Sequence, residues 1–153
     1  MRALVRLVTS DSGESGPIPG DVPSGKPGNG HHHSSTVLVA EDEILVRMTV
    51  SDYLRDAGYR VIEVSNADEA RAVFAAGEPI ELVFSDVNMP GQMNGLALAE
   101  WIRIRYPDVK VILTSGARDV IRPVVEARPD ELFLLKPYSY EELRASIRRL
   151  LAV

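Results

Sequence analysis

The chain has 153 residues, of which 45% are hydrophobic and 25% charged, a composition typical of one globular domain. It contains no cysteine, which excludes disulfides, thiolate metal sites and a cysteine nucleophile, and which favours a reducing cytoplasm as its location. The formal net charge of −5 without a basic stripe argues against nucleic-acid binding, and no apolar stretch is long enough to predict a contact with membranes.

The first 35 residues differ in composition from the rest of the chain. Gly, Pro, Ser and Asp dominate residues 10–35, and such a segment buries too little apolar surface to offset the entropy that ordering costs. We therefore predict a flexible low-complexity leader over residues 1–35 and one folded domain over residues 36–153, with no output domain. The adjacent His31, His32 and His33 indicate a linker or tag remnant rather than a metal site.

Five short apolar runs follow this leader and predict five strands. They lie at Val37–Ala40, Tyr59–Val64, Ile80–Ser85, Val109–Thr114 and Leu132–Leu135. Continuous apolar runs of this length are typical of strands that are buried on both faces of a sheet. Because helical segments separate them, the pattern predicts an α/β doubly wound fold with a parallel sheet and helices on both faces.

The helical segments are recognised by apolar residues at helical spacing. Asn66 is placed to cap the second helix, and Ser139 with Glu142 three positions later predicts a capping box for the last one. In the fourth segment, residues 117–128, Pro123 and the following Pro129 predict a short or irregular helix.

Polar side chains follow four of the predicted strands, at the edge where parallel strands place their carboxyl ends. These residues are Glu41, Asp42 and Glu43 after the first strand, Asp86 after the third, Thr114 at the end of the fourth and Lys136 after the fifth. Most of them have a structural alternative: the three acidic residues after the first strand could cap the first helix, Asp86 could form a turn, and Lys136 with Pro137 could be an ordinary strand exit. Together, however, carboxylates without histidine or cysteine suit Mg²⁺, and a lysine and a hydroxyl suit a phosphoryl group.

Four motifs in this order and spacing resemble response-regulator receiver domains, the aspartate-phosphorylated modules of two-component signalling. Residues 37–43 (VLVAEDE) are similar to the family's opening strand and acidic pair, and residues 85–91 with 93–96 (SDVNMPG, MNGL) to its phosphoacceptor loop. Residues 111–116 (VILTSG) resemble the switch strand, and residues 133–138 (FLLKPY) the lysine-proline strand. The resemblance covers Thr36 to Val153 and implies a flavodoxin-like (βα)5 fold with a five-stranded sheet of order 2-1-3-4-5.

The resemblance also implies a magnesium site and a phosphoacceptor. Asp86 would be the nucleophile that takes a phosphoryl group from a phosphohistidine. Asp42 and Asp86 would ligate Mg²⁺ through their carboxylates, Asn88 through its backbone carbonyl, and Glu41 through a water molecule. The partner that donates the phosphoryl group would be a sensor histidine kinase or a histidine phosphotransfer protein.

Three further residues are implied to respond to phosphorylation. Lys136 would pair with the phosphoryl group, Thr114 would hydrogen-bond it, and Phe133 would turn inward when Thr114 moves. As an apolar aromatic within a strand, Phe133 has a plain core position as its structural alternative. The output of such a stand-alone receiver would be a downstream protein of unknown identity, and phosphorylation-dependent dimerisation is compatible with the family.

Other functions fit the residues less well. A haloacid-type, Mg²⁺-dependent aspartyl phosphatase also uses a nucleophilic aspartate after a strand, but it needs a second aspartate where this chain has Asn88. A flavodoxin-like electron carrier needs a phosphate-binding loop, where Glu41, Asp42 and Glu43 would repel the flavin phosphate. A receiver that binds partners without being phosphorylated is compatible with the sequence. The expected activity is that of a phosphoacceptor with slow autodephosphorylation, not of an enzyme with a separate substrate.

Overall fold

A computed structural model describes residues 34–128 and 131–152. The predicted leader therefore lies, except for its last two residues, outside the described residues, as do His31, His32 and His33. Five strands alternate with five helices: β1 (Thr36–Ala40), α1 (Ile44–Asp56), β2 (Arg60–Val64), α2 (Ala67–Ala75), β3 (Leu82–Asp86), α3 (Gly95–Arg105), β4 (Lys110–Ser115), α4 (Arg118–Ala127), β5 (Leu132–Leu135) and α5 (Tyr140–Leu151).

The strands form one parallel sheet in the order β2-β1-β3-β4-β5, which confirms the predicted fold class and strand order. Alternate residues of β1 face opposite sides of this sheet, as a side-chain period of two requires. Leu38 joins a core with α2 and α3, whereas Val37 and Val39 join a second core with α1 and α5. The helices therefore cover both faces, and the polar residues can meet only at the rim.

Helix boundaries follow local capping chemistry. The Asn66 side chain accepts a hydrogen bond from the Glu69 backbone N–H, and Ser139 and Glu142 form the predicted capping box at the start of α5. These side chains satisfy backbone donors that have no partner within the helix.

The prediction of a short or irregular fourth helix was wrong. α4 runs over ten residues with Pro123 inside it. A proline removes one backbone hydrogen bond, and the surrounding residues keep the helical spacing that buries Ile121 against the sheet. Among the described residues, no helix is both long and apolar enough to cross a membrane.

Candidate functional site

Three carboxylates converge where β1 and β3 end. Ala40 pairs with Ser85 in the sheet, so the next residues along the two strands, Glu41 and Asp86, emerge side by side. Glu41, Asp42 and Asp86 each offer a carboxylate oxygen, and these oxygens all lie within 4.8 Å of one another. Glu41 and Asp86 are buried, whereas Asp42 is exposed. The sheet register thus brings together residues that are more than forty positions apart in the chain.

The Asp86 carboxylate is oriented by two donors. Its Oδ2 accepts a hydrogen bond from Lys136 Nζ at 2.5 Å, and its Oδ1 accepts one from the Asn88 backbone N–H at 2.9 Å. The Lys136 ammonium also lies 3.8 Å from Glu41 Oε2. Charge-assisted hydrogen bonds of this kind are stronger than neutral ones, so the buried Asp86 side chain has a fixed orientation.

Burial and charge shift the ionisation of this group of side chains. Burial raises the pKa of Glu41 to about 7, with a further contribution from the charge of Asp86, against the lowering effects of the Glu43 backbone N–H and Lys136. Burial alone would lower the pKa of Lys136, but the hydrogen bond and charge of Asp86 and the charge of Glu41 outweigh it, so that pKa is raised. With all groups ionised, three carboxylates and one ammonium leave an excess of two negative charges, which suits a divalent cation.

Thr114 lies opposite Asp86 on the neighbouring strand β4. Its backbone carbonyl accepts a hydrogen bond from Val87 N–H at 2.9 Å, which ties β4 to the end of β3. Its side chain is fully buried, and its hydroxyl has no hydrogen-bond partner within residues 34–128 and 131–152. Buried polar atoms of Ser51, Trp101 and Glu131 also have no partner among the described residues, so it is the position of Thr114 beside Asp86 that makes its hydroxyl relevant to this site.

Phe133 lies on the edge strand β5 and does not occupy the register position beside Thr114. Phe133 pairs with Leu113 on β4 rather than with Thr114, and it packs half-buried against Leu113 and Val87. It also lines a groove of about 890 Å³ between α4, β5 and α5. The switch role of Phe133 therefore stays a prediction.

Sequence reasoning missed two residues that support the site. A Cβ built on Gly95, the first residue of α3, would lie 2.0 Å from the Asp86 carbonyl oxygen, so only glycine fits there. Arg47 in α1 donates a hydrogen bond from Nη1 to the Glu41 carbonyl oxygen at 2.8 Å. Gly95 stands within a quoted motif, but its close approach to β3 is visible only in three dimensions; nothing in the sequence singles out Arg47.

Comparison with known proteins identifies the family. The family model described as response regulator receiver domain matches residues 37–148. The chain belongs to the response regulator receiver domain family. The predicted resemblance is thereby confirmed.

The chain matches parts of longer curated relatives. The chain is 35% identical over 121 residues to the transcriptional regulatory protein AruR of Pseudomonas aeruginosa, a match that covers 75% of this chain and 48% of AruR. It is 32% identical over 150 residues to the sensor kinase CckA of Brucella abortus, covering 97% of this chain and 16% of CckA. The chain thus spans about half the length of AruR and a smaller part of CckA.

Solved receivers share the fold. A response regulator receiver protein from Sinorhizobium medicae aligns with a TM-score of 0.71 at 26% identity, covering 79% of this chain and 97% of that one. The response regulator protein TrrA of Thermotoga maritima, solved in complex with Mg²⁺-BeF, aligns with a TM-score of 0.67 at 28% identity, covering 76% and 98%.

The residues of this chain fit a bound Mg²⁺. The three carboxylates supply oxygen donors only, which a hard cation prefers, and the exposed Asp42 leaves room for water ligands. Asn88 is joined to Asp86 through its backbone N–H, so its main chain borders the same carboxylate.

Proposed function

We propose that this receiver accepts a phosphoryl group on Asp86 from a phosphohistidine of a histidine kinase or phosphotransfer protein, with Mg²⁺ held by Glu41, Asp42, Asp86 and Asn88. The observation that carries the proposal is the Asp86 carboxylate itself: it is buried, fixed by Lys136 at 2.5 Å, and accompanied by two further carboxylates within 4.8 Å. The proposal includes a cytoplasmic location and signalling through contacts with a downstream protein.

In the proposed transfer, a carboxylate oxygen of Asp86 forms a bond to phosphorus while the phosphorus–nitrogen bond of the donor breaks. The electron pair of that bond stays on the imidazole nitrogen, and the product is an aspartyl phosphate. Lys136 moves its hydrogen bonds from Asp86 to the phosphoryl oxygens, where its charge offsets theirs. A bound Mg²⁺ supplies further neutralisation of the phosphoryl charge.

After transfer, Thr114 acquires an acceptor. Its buried hydroxyl belongs to the residue opposite the end of β3, and a phosphoryl group on the neighbouring Asp86 offers oxygens to which it can donate. Movement of Thr114 toward these oxygens shifts β4, and through β4 the surface formed by α4 and β5. The observed geometry supports this role better than that of a haloacid-type phosphatase, because Asn88 has no carboxylate to act as a general acid or base.

The phosphoacceptor assignment is tested by incubating the protein with acetyl phosphate and Mg²⁺ and measuring its intact mass. We expect wild type to gain one phosphoryl group and Asp86→Asn to gain none, because the amide lacks the nucleophilic oxygen. Asp108→Asn is the matched control, since Asp108 is exposed next to the opposite end of β4, and it should behave as wild type. A wild-type protein without added mass would support a receiver that acts without phosphorylation. An equal gain in mass in Asp86→Asn would show that another residue accepts the phosphoryl group.

A further inference from the structure

Arg47 contacts the loop that carries two of the proposed metal ligands. It lies in the first turn of α1, and its Nη1 donates a hydrogen bond to the Glu41 carbonyl oxygen at 2.8 Å. Its Nε lies 3.9 Å from Glu63 Oε1 on β2, and its side chain is only 18% exposed. The guanidinium therefore sits between α1, β2 and the loop, with little freedom to move.

The carbonyl that Arg47 binds belongs to the peptide group joining Glu41 to Asp42. A peptide group is planar, so fixing its oxygen fixes the direction in which the chain leaves Glu41 and enters Asp42. The other end of Glu41 is already tied to the sheet, because its N–H donates to the Val64 carbonyl at 3.1 Å. Together these bonds hold the backbone on which both carboxylates stand.

This restraint acts against a local repulsion. The carboxylates of Glu41, Asp42 and Asp86 repel one another when ionised, and Lys136 offsets only part of this from the side of β5. A loop free to rotate would turn Asp42, the exposed member, away from the other two. Arg47 opposes that rotation through the main chain, by binding a backbone oxygen rather than a carboxylate of the group.

We propose that Arg47 is a positioning residue of the Mg²⁺ site, which holds the Glu41–Asp42 peptide so that both carboxylates face Asp86. The inference rests on the proposed function, because it assumes that these carboxylates bind Mg²⁺. Residues that orient metal ligands typically contribute about 10-fold to 100-fold in metal affinity.

The direction in which Mg²⁺ affinity changes on removal of Arg47 distinguishes a positioning role from a purely electrostatic one. Arg47 is a cation near a cation site, so its electrostatic repulsion of Mg²⁺ alone predicts that its removal strengthens Mg²⁺ binding. Loss of the restraint predicts the opposite. We expect Arg47→Met to weaken Mg²⁺ binding about tenfold, measured by calorimetry on the full chain without a phosphodonor. Arg47→Lys, which keeps a donor and the charge, should recover part of that loss.

The matched control is Arg55→Met. Arg55 is on the same helix and pairs with the same Glu63, at 2.7 Å, but its hydrogen bonds within the described part of the chain go to Asp52 and Glu63 and not to the loop. This variant should bind Mg²⁺ as wild type does. In a second measurement, the initial rate of phosphorylation by acetyl phosphate in Arg47→Met should return to the wild-type value at saturating Mg²⁺, because only the cost of assembling the site has changed.

Three outcomes would overturn the inference. Equal or tighter Mg²⁺ binding in Arg47→Met would leave Arg47 with an electrostatic role only. Failure of both Arg47→Met and Arg47→Gln to fold, judged by circular dichroism, would make it a structural residue. Absence of Mg²⁺ binding in wild type would refute the metal site of the proposed function, and this inference with it.

Discussion

Glu41 and Asp42 are adjacent carboxylates with different surroundings. Asp42 is exposed to solvent, whereas Glu41 is 5% exposed and shares its side of the rim with Asp86. Burial is the largest of the causes that raise the pKa of Glu41 to about 7. The raised pKa means that Glu41 holds a proton up to a higher pH than an ordinary glutamate, and its negative charge becomes available to a cation only when that proton leaves.

This difference predicts a pH-dependent affinity for Mg²⁺. Protons compete with the cation at Glu41, so Mg²⁺ binding should strengthen as pH rises from about 6 to about 8, with a slope of up to about tenfold per unit below the pKa. Above about pH 8 the slope should level off, because Glu41 is then ionised without the metal. Calorimetric titrations across this range measure it directly.

Glu41→Gln provides the decisive comparison, because glutamine does not titrate. Its Mg²⁺ affinity should be lower than that of wild type at the alkaline end of the range and should vary less with pH. Glu141→Gln, an exposed position on α5, should keep the wild-type slope. The same slope in Glu41→Gln as in wild type would assign the titration to another group.

At the scale of elements, the loop from β3 to α3 is held by backbone contact. Gly95 opens α3, and its N–H donates to the Val87 carbonyl at 2.9 Å. The preceding residue, Asn94, caps the helix, because its side chain accepts a hydrogen bond from the Ala97 N–H. The first residue of α3 therefore lies directly against the backbone of Asp86, the proposed phosphoacceptor.

Gly95→Ala should therefore destabilise the protein although alanine is the better helix former. Helix propensity alone would favour the variant, by at most about 1 kcal/mol at this first helical position. The added methyl group would lie 2.0 Å from the Asp86 carbonyl oxygen, and relieving that overlap requires a backbone shift. We expect a net loss of about 1–3 kcal/mol in the free energy of unfolding, measured with urea.

Gly116→Ala is the matched control for this substitution. A Cβ at Gly116 would meet nothing closer than the Lys136 Cβ at 3.9 Å, an ordinary van der Waals contact. Its free energy of unfolding should change by no more than about 0.5 kcal/mol. If Gly95→Ala were as stable as Gly116→Ala, the start of α3 would be able to shift away from Asp86 at little cost in free energy of unfolding.

The sequence predicts the strands and some helix starts, but not the residues whose roles depend on contacts in three dimensions. Apolar runs and capping residues predicted all five strands and the start of α5, because these signals are local. The rim residues were found because the carboxyl ends of parallel strands share one edge. Arg47 and Gly95 were missed, since their roles depend on which backbone carbonyl they approach. The prediction for α4 was wrong because the hydrogen bond lost at Pro123 did not outweigh the helical pattern around it.

At the scale of the whole molecule, the proposed metal site exists only in the folded chain. Glu41 and Asp42 follow β1, Asp86 ends β3 and Lys136 follows β5, so three separate strand ends must assemble before the group forms. The unfolded chain holds no such arrangement. Binding of Mg²⁺ to the site is therefore linked to the stability of the entire fold.

This linkage predicts that Mg²⁺ stabilises the protein. At a free concentration about one hundred times its Kd, the free energy of unfolding should rise by about 2.7 kcal/mol, and the Tm should rise with it. Thermal unfolding in MgCl2, compared with NaCl at equal ionic strength, measures the effect. In Asp42→Asn the specific increase should shrink strongly, and an undiminished increase would show that Mg²⁺ binds elsewhere.

The buried Thr114 hydroxyl sets a scale for how strongly the proposed phosphorylation of Asp86 would bias the molecule. A buried hydroxyl that gains a hydrogen-bond partner gains up to about 1–3 kcal/mol, and Thr114 carries such a hydroxyl near the carboxyl end of β4. Under the proposed function, a conformation in which this hydroxyl donates to a phosphoryl oxygen is favoured by up to that amount. An energy of that size changes the ratio of two conformations by about 5-fold to 150-fold. Under the proposed function, one hydroxyl group would therefore make a conformation populated at about 10% the major one, except near the lower end of this range.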